Sequence, residues 1–226
     1  MKKWDELPEC IKNDAVRQYY DILTRHKIGL LAKRTFDLII ASILFVLLLP
    51  IFLILAILIK LDSPGPIFFR QVRVTTNGKK FRIYKFRTMV NNAEQIGTQV
   101  TTKQDIRITR IGKGIRKCRL DELPQLLNII RGDMTFVGTR PEVEKYVAYY
   151  TDEMKATLLL PAGVTSMASI RYKDEDRLLE NAANADEVYV YKVLPEKMQY
   201  NLKAIKEFSF WGDIKIMFET ILAVIK

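Results

Sequence analysis

Residues 38 to 59, LIIASILFVLLLPIFLILAILI, form 22 consecutive positions without a charge, and Ser42 is the only polar side chain among them. A soluble helix needs one apolar stripe rather than an apolar circumference, so the run belongs in hydrocarbon. It begins too late for a cleavable leader, and no small-residue cleavage motif follows it. Pro50 sits near the middle, removes one helical hydrogen bond and bends the axis. The arm 38 to 49 is then about 18 Å long and the arm 51 to 59 about 14 Å, each roughly half of a ~30 Å hydrocarbon core. Two half-depth arms predict a re-entrant hairpin, with a kinked span as the alternative. Lys33 and Arg34 precede the run and Lys60, Arg70 and Arg73 follow it, so neither flank reads as external. Asp37 stands at the water boundary, where pairing with Lys33 or Arg34 would lower its cost.

Lys and Arg number 36 against 26 Asp and Glu, a net charge of +10, which leaves nucleic acid, anionic lipid and phosphorylated small molecules as partners. A single histidine, His26, and two distant cysteines, Cys10 and Cys118, cannot build the usual Cys/His zinc cluster, and they disfavour a serine or cysteine triad, whose base would have to be His26 in a charged amino-terminal stretch. A metal here would take oxygen ligands, which favours Mg2+. The cysteine count offers no disulfide framework and suits a reducing compartment.

The remaining pattern predicts a mostly helical protein with one small antiparallel β-hairpin. A short helix over 14 to 26 feeds the membrane segment. The runs IFFRQVRV and KKFRIYKFRTM flank TTNG, a strong hairpin signal. Residues 91 to 118 read as a loop and a helix, and further helices are expected at 122 to 131, 141 to 158, 174 to 184, 195 to 207 and 210 to 225. In the last of these Phe210, Ile214, Met217, Phe218, Ile221, Leu222 and Ile225 share one stripe, which fits core packing or an interfacial helix. The alternating βα rhythm of a Rossmann-type sheet is missing, as are the G-x-x-x-x-G-K-[ST] and G-x-G-x-x-G phosphate loops.

The string Asp-Glu-Leu-Pro occurs twice, at 5 to 8 and at 121 to 124. The second copy ends a basic stretch containing Lys103, Arg107, Arg110, Lys113, Arg116, Lys117 and Arg119, and it opens an apolar row of Leu123, Leu126, Leu127 and Ile130. Pro124 fits the first turn of that helix and Gly132 its end. Asp121 then falls at the N-cap, where capping alone explains it. The same pole welcomes phosphate, and two acids, several arginines and a helix N-terminus are also what metal-assisted phosphoryl transfer requires. Around Asp5 and Glu6 the arginines are lacking, so that copy reads as a helix start or a docking feature.

The string LDELPQLLNIIRGDMTFVGTRPE, with KRTFDLIIASILFVLLLPIFLILAILIKLDSPGPIFFRQ, FRIYKFRTM and the carboxy-terminal VLPEKMQYNLKAIKEFSFWGDIKIMFETILAVI, resembles the bacterial sugar transferase family over about residues 33 to 225. These are monotopic polyprenyl-phosphate phosphoglycosyl transferases. The resemblance implies that Asp121 attacks the β-phosphorus of a UDP-sugar and expels UMP, and that polyprenyl (undecaprenyl) phosphate then takes the sugar phosphate to start a surface glycan. It implies that Glu122 and Asp121 hold Mg2+ and that Arg116 and Arg140 bind phosphate, with Lys85, Arg87, Asp133 and Arg171 as candidate neighbours. The expected layout is an accessory extension (1–32), a re-entrant membrane helix kinked at Pro50 (33–60) and a catalytic domain (61–226) on the cytoplasmic face of the bacterial inner membrane. The expected partners are a UDP-sugar donor, the polyprenyl phosphate acceptor and membrane lipid, without nucleic acid, and further copies of the chain or downstream glycosyltransferases. The chain departs from the family pattern at Leu49, where Ser often precedes the proline, at Gly138-Thr139-Arg140-Pro141, and at PAGVTS over 161 to 166. Two other readings remain, a catalytically silent scaffold and a basic membrane-anchored polyanion binder.

Overall fold

The computed structural model describes residues 1–93, 105–173 and 184–225. Helix α1 (Asp14–Arg25) is capped by Asn13, whose side-chain oxygen accepts from the Val16 N–H at 2.8 Å. Its stripe of Val16, Tyr19, Tyr20 and Leu23 is buried. The stripe shares one core with Leu7 and Ile11 before it and with Leu194, Met198, Leu202 and Ile205 far downstream. The amino-terminal segment is thus built into the body of the protein.

Two helices follow, α2 (Lys27–Leu47) and α3 (Leu49–Asp62). Their axes differ by 59° across Leu48, and no single described helix is long and apolar enough to cross a membrane, although the bent pair is by length and composition. Pro50 lies in the first turn of α3, where a missing N–H leaves no intrahelical bond unmade. The break therefore falls just ahead of the proline, which starts the second arm. Ala41, Phe52, Leu55 and Ile59 face protein, while Val46, Leu47, Leu53, Ile54 and Leu61 are exposed. Such an apolar surface exceeds what water tolerates on a monomer.

Polar contacts fasten α2 to the rest. Asp37, only 2% exposed, accepts from the Thr135 hydroxyl, and Lys33 pairs with Asp213 at 2.6 Å. Lys33 and Arg34 still act on the Asp37 charge, as expected, while their direct bonds go to Asp213 and to the carbonyls of Ile129 and Ile130.

Strands β1 (Phe68–Val74) and β2 (Lys80–Phe86) form the expected antiparallel hairpin, with Phe68 opposite Phe86 and Val74 opposite Lys80. Asn77 and Gly78 at its tip both take positive φ, 57° and 71°, as a tight twisted turn demands. Helix α4 (Arg110–Lys117) follows, with Thr109 accepting from the Gly112 N–H at 3.0 Å. Helix α5 (Gln125–Arg131) ends at Gly132 with φ 84°, as its sequence required. Arg34 of α2 caps the same end, donating to the carbonyls of Ile129 at 2.6 Å and Ile130 at 3.1 Å.

The sequence reading needs several corrections. Strand β3 (Met134–Val137) pairs in parallel with β4 (Ala162–Thr165), a second small sheet that the expected fold class lacked. Each strand has only four residues, too few to show a period of two. The helix expected over 141 to 158 is broken into α6 (Glu144–Val147) and a 3-10 stretch at Met154–Leu159. Four consecutive buried residues, Ala156 to Leu159, cannot lie on one face of an α-helix. The helix expected from 122 starts at Gln125, because Leu120–Glu122 form a separate 3-10 turn. Residues 174 to 183, most of another expected helix, lie outside the described residues. Helix α7 (Met167–Arg171), α8 (Ala185–Val188), a π turn at Tyr189–Val193, α9 (Leu194–Lys206) and α10 (Phe210–Ile225) complete the chain. Alongside Phe36 of α2, the apolar stripe of α10 lines an open groove of about 430 Å³, and Trp211 and Phe218 are exposed.

Candidate active site

The turn bearing the second Asp-Glu pair is held by an unusual backbone position. Arg119 ends α4 in the left-handed region at φ 55°, a place glycine usually fills, at a cost of about 1 kcal/mol. The chain reverses there into Leu120–Glu122, and Leu120 and Leu123 pack against the cluster of Phe52, Phe86 and Ile115. That packing pins the acids against β2.

Glu122 receives two cations from different parts of the chain. Lys85 of β2 donates to Oε1 at 2.8 Å, and Arg140, in the loop after β3, bonds both carboxylate oxygens, one at 3.3 Å. Arg140 is itself steadied by the Val164 carbonyl of β4 at 3.3 Å, and Arg73 of β1 donates to the Pro141 carbonyl at 3.1 Å. Burial alone would raise the Glu122 carboxyl, but Arg140 and Lys85 outweigh it and hold the group well below the ordinary carboxylate range. Glu122 is therefore ionised.

Asp121 behaves oppositely. Burial pushes its carboxyl up, Glu122 adds to that, and Lys85 and Arg116 oppose it. Among the described residues no side chain donates to it, and its own backbone N–H is its hydrogen-bond donor. It does not cap α5, whose N-cap is Pro124, so the capping explanation of this acid falls away. A half-buried carboxylate facing cations it does not bond is suited to attack an electrophile or to ligate a metal.

The structure brings together Asp121, Glu122, Lys85, Arg140 and, electrostatically, Arg116. It does not bring Arg87 to them. Arg87 is 5% exposed and caps α3 instead, donating to the carbonyls of Ser63 at 2.6 Å and Pro64 at 2.9 Å. It was expected among the neighbours of the acids, but it bonds the end of α3. Arg171 lies exposed at the end of α7. Asp133 pairs with Lys79 at 3.2 Å, at the turn end of the hairpin. Lys103 is outside the described residues. The first Asp-Glu pair lies in an exposed 3-10 turn at Trp4–Glu6, with Glu6 accepting from the Lys3 N–H at 3.3 Å.

Sequence reasoning missed three supports of the site. Asn128, fully buried, accepts from the Tyr84 N–H and donates to the Arg82 carbonyl, both at 2.9 Å, and so binds α5 to the strand that carries Lys85. Gly163 passes so close to Gly138 that an added Cβ would stand 2.2 Å from the Gly138 nitrogen. Gln125, next to the reactive turn, is buried. A polar residue within an apolar helical row was the only signal for Asn128 and Gln125.

The donor set also bears on a metal. No group of three or more acidic, histidine or cysteine side chains able to hold one occurs among the described residues. Two adjacent carboxylates, one free of side-chain donors, still match the way Mg2+ is held when a substrate phosphate supplies the remaining oxygens.

The family model for bacterial sugar transferase matches residues 28–226. Among similar curated proteins, a UDP-N-acetylgalactosamine-undecaprenyl-phosphate N-acetylgalactosaminephosphotransferase of Aeromonas hydrophila is 39% identical over 196 residues, covering 85% of this chain and 43% of the relative. A UDP-glucose:undecaprenyl-phosphate glucose-1-phosphate transferase of Klebsiella pneumoniae is 34% identical over 198 residues, covering 86% and 40%. A protein of the same description from Caulobacter vibrioides is 36% identical over 196 residues, covering 84% and 68%. The chain thus spans about two fifths of the length of the first two relatives.

Proposed function

Given that the chain belongs to the bacterial sugar transferase family, we propose that it transfers a sugar 1-phosphate from a UDP-sugar to polyprenyl phosphate, as the first step of a bacterial surface glycan. The observation that carries the reading is the division of labour in the acidic pair, with Glu122 saturated by Lys85 and Arg140 and Asp121 left without a side-chain donor.

An Asp121 carboxylate oxygen attacks the β-phosphorus of the donor, the bond from that phosphorus to the bridging oxygen breaks, and UMP leaves with the electron pair. The sugar phosphate remains on Asp121 as an acyl phosphate. An oxygen of polyprenyl phosphate then attacks the same phosphorus, giving a polyprenyl diphosphate sugar and restoring the carboxylate. Arg140, Lys85 and Arg116 stabilise charge that builds on the phosphoryl oxygens. Asp121 and Glu122 would hold Mg2+, whose chemistry is to withdraw charge from the diphosphate.

The bent α2–α3 pair reads as a re-entrant anchor on the cytoplasmic face of the inner membrane, with the exposed stripe of α10 lying in the interface. A prenyl carrier keeps its tail in lipid and its phosphate at the surface, so an enzyme fixed at that depth meets the phosphate without extracting the tail.

The test is UMP release by the purified protein with Mg2+, undecaprenyl phosphate and a panel of UDP-sugars. Release with one donor supports the reading and names the sugar. No release with any donor leaves a silent scaffold. Membrane topology is tested separately through Cys10 and Cys118, both free and exposed. A membrane-impermeant maleimide should reach them only from the cytoplasmic side, and labelling from opposite sides would mean a span.

A further inference from the structure

Gln125 lies three residues after Glu122, on the first turn of α5, and is 1% exposed. Among the described residues neither its amide nitrogen nor its amide oxygen has a hydrogen-bond partner. An unpaired buried amide costs stability, and native proteins seldom keep one without a use for it. Asn128, three residues further on, provides the contrast, since both of its amide atoms are bonded to β2. Leu123 and Pro124 keep right-handed helical φ/ψ between the 3-10 turn and α5, so Glu122, Gln125 and Asn128 follow one another at a helical spacing of three. At one end of this series Glu122 takes Lys85, at the other Asn128 takes the backbone, and the middle amide is idle.

We infer that Gln125 is a positioning residue whose amide N–H is held in reserve for the Glu122 carboxylate and engages it when Lys85 and Arg140 turn to the phosphates of the donor. The inference rests on the transferase reading. A diphosphate brings more negative charge to these two cations than one carboxylate does, so binding strips Glu122 of its donors. A buried acid left in that state has strong need of another donor. The charged groups facing Glu122 are Lys85 of β2, Arg73 of β1, Arg140 after β3 and the adjacent Asp121, which leaves Gln125 as the neutral donor nearby. A neutral donor is the appropriate one, because it keeps Glu122 oriented without competing for the substrate's charge.

The decisive variants are Gln125→Met, which removes both polar atoms at similar volume, and Gln125→Leu, which removes them in a shorter side chain. For each, the Tm is measured with and without a UDP-sugar, alongside kcat/KM for UMP release. For Gln125→Met we expect an unliganded Tm equal to or above that of the wild type, a donor-induced rise in Tm at least halved, and kcat/KM lower by about tenfold. Gln125→Leu should show the same loss of donor response, and it serves alone if the methionine variant does not fold. A lower unliganded Tm with an undiminished donor response would make the amide structural and overturn the inference, as would variants indistinguishable from wild type. If the wild type itself neither releases UMP nor responds to any donor, the transferase reading fails and this inference fails with it. An active wild type with indifferent variants removes this inference alone.

Discussion

Asp121 and Glu122 are neighbours in the chain but differ in their electrostatic partners, since Glu122 is bonded to Lys85 at 2.8 Å and to Arg140, and no described side chain donates to Asp121. Two carboxylates in one turn would repel if both were bare. Concentrating the cations on one of them fixes its charge and leaves the other available for chemistry.

Asp121→Asn should reduce UMP release by about a thousandfold or more, since a neutral amide cannot form the acyl phosphate. Burial already disfavours the Asp121 charge, so the variant's Tm at neutral pH should equal or exceed that of the wild type. Asp5→Asn, in the exposed first copy of the motif, is the matched control and should retain full activity. Normal UMP release from the Asp121 variant would remove the nucleophile assignment.

Glu122→Gln leaves Lys85 and Arg140 facing an amide in a site where the acid is 16% exposed. The expected cost is about 2 to 3 kcal/mol in chemical denaturation, together with the loss of most activity. A variant as stable as the wild type would show that the two cations do not depend on this acid.

The link between Asp105 and Arg107 predicts a pH effect away from the site. Arg107 donates from Nε at 2.8 Å and from a terminal nitrogen at 2.5 Å, and this pair of bonds holds the Asp105 carboxyl below its ordinary value of 3.8. A depressed acid contributes stability above its unfolded value and loses it as pH falls through the folded one. Asp105→Asn should therefore cost about 2 kcal/mol at pH 7, and the difference from wild type should shrink as the pH drops below about 4. A pH-independent difference would contradict this assignment.

Gly163→Ala should destabilise by about 3 kcal/mol, because the new methyl would meet the backbone N, C and O of Gly138 within 2.5 Å. Parting β3 from β4 also displaces Arg140, so kcat should fall with the Tm. Gly114→Ala is the control: a Cβ there meets nothing, and the α4 position should gain about 0.5 to 1 kcal/mol.

What could be read from the chain was local. The hairpin followed from Asn77-Gly78 between alternating runs, and the bend followed from Pro50 within an apolar stretch. The two acids and Arg140 followed from a long family motif, and Lys85 was only one of several candidate neighbours. The parallel pairing of Met134–Val137 with Ala162–Thr165 did not, because such a pairing depends on contacts across 28 positions and neither strand announces itself. Arg87 was indistinguishable from Lys85 as a charge in a string. Only the path of the backbone separates a guanidinium that caps α3 from one that reaches the acid.

Helix α5 is clamped at one end by Arg34 of α2, and the turn bearing Asp121 adjoins the other. Seven residues of α-helix measure about 10 Å. The helix therefore fixes the spacing between Arg34 of α2 and the acidic turn. One more turn would add about 5 Å, so the Arg34 clamp and the packing of Leu120 and Leu123 on Phe52 could not both survive.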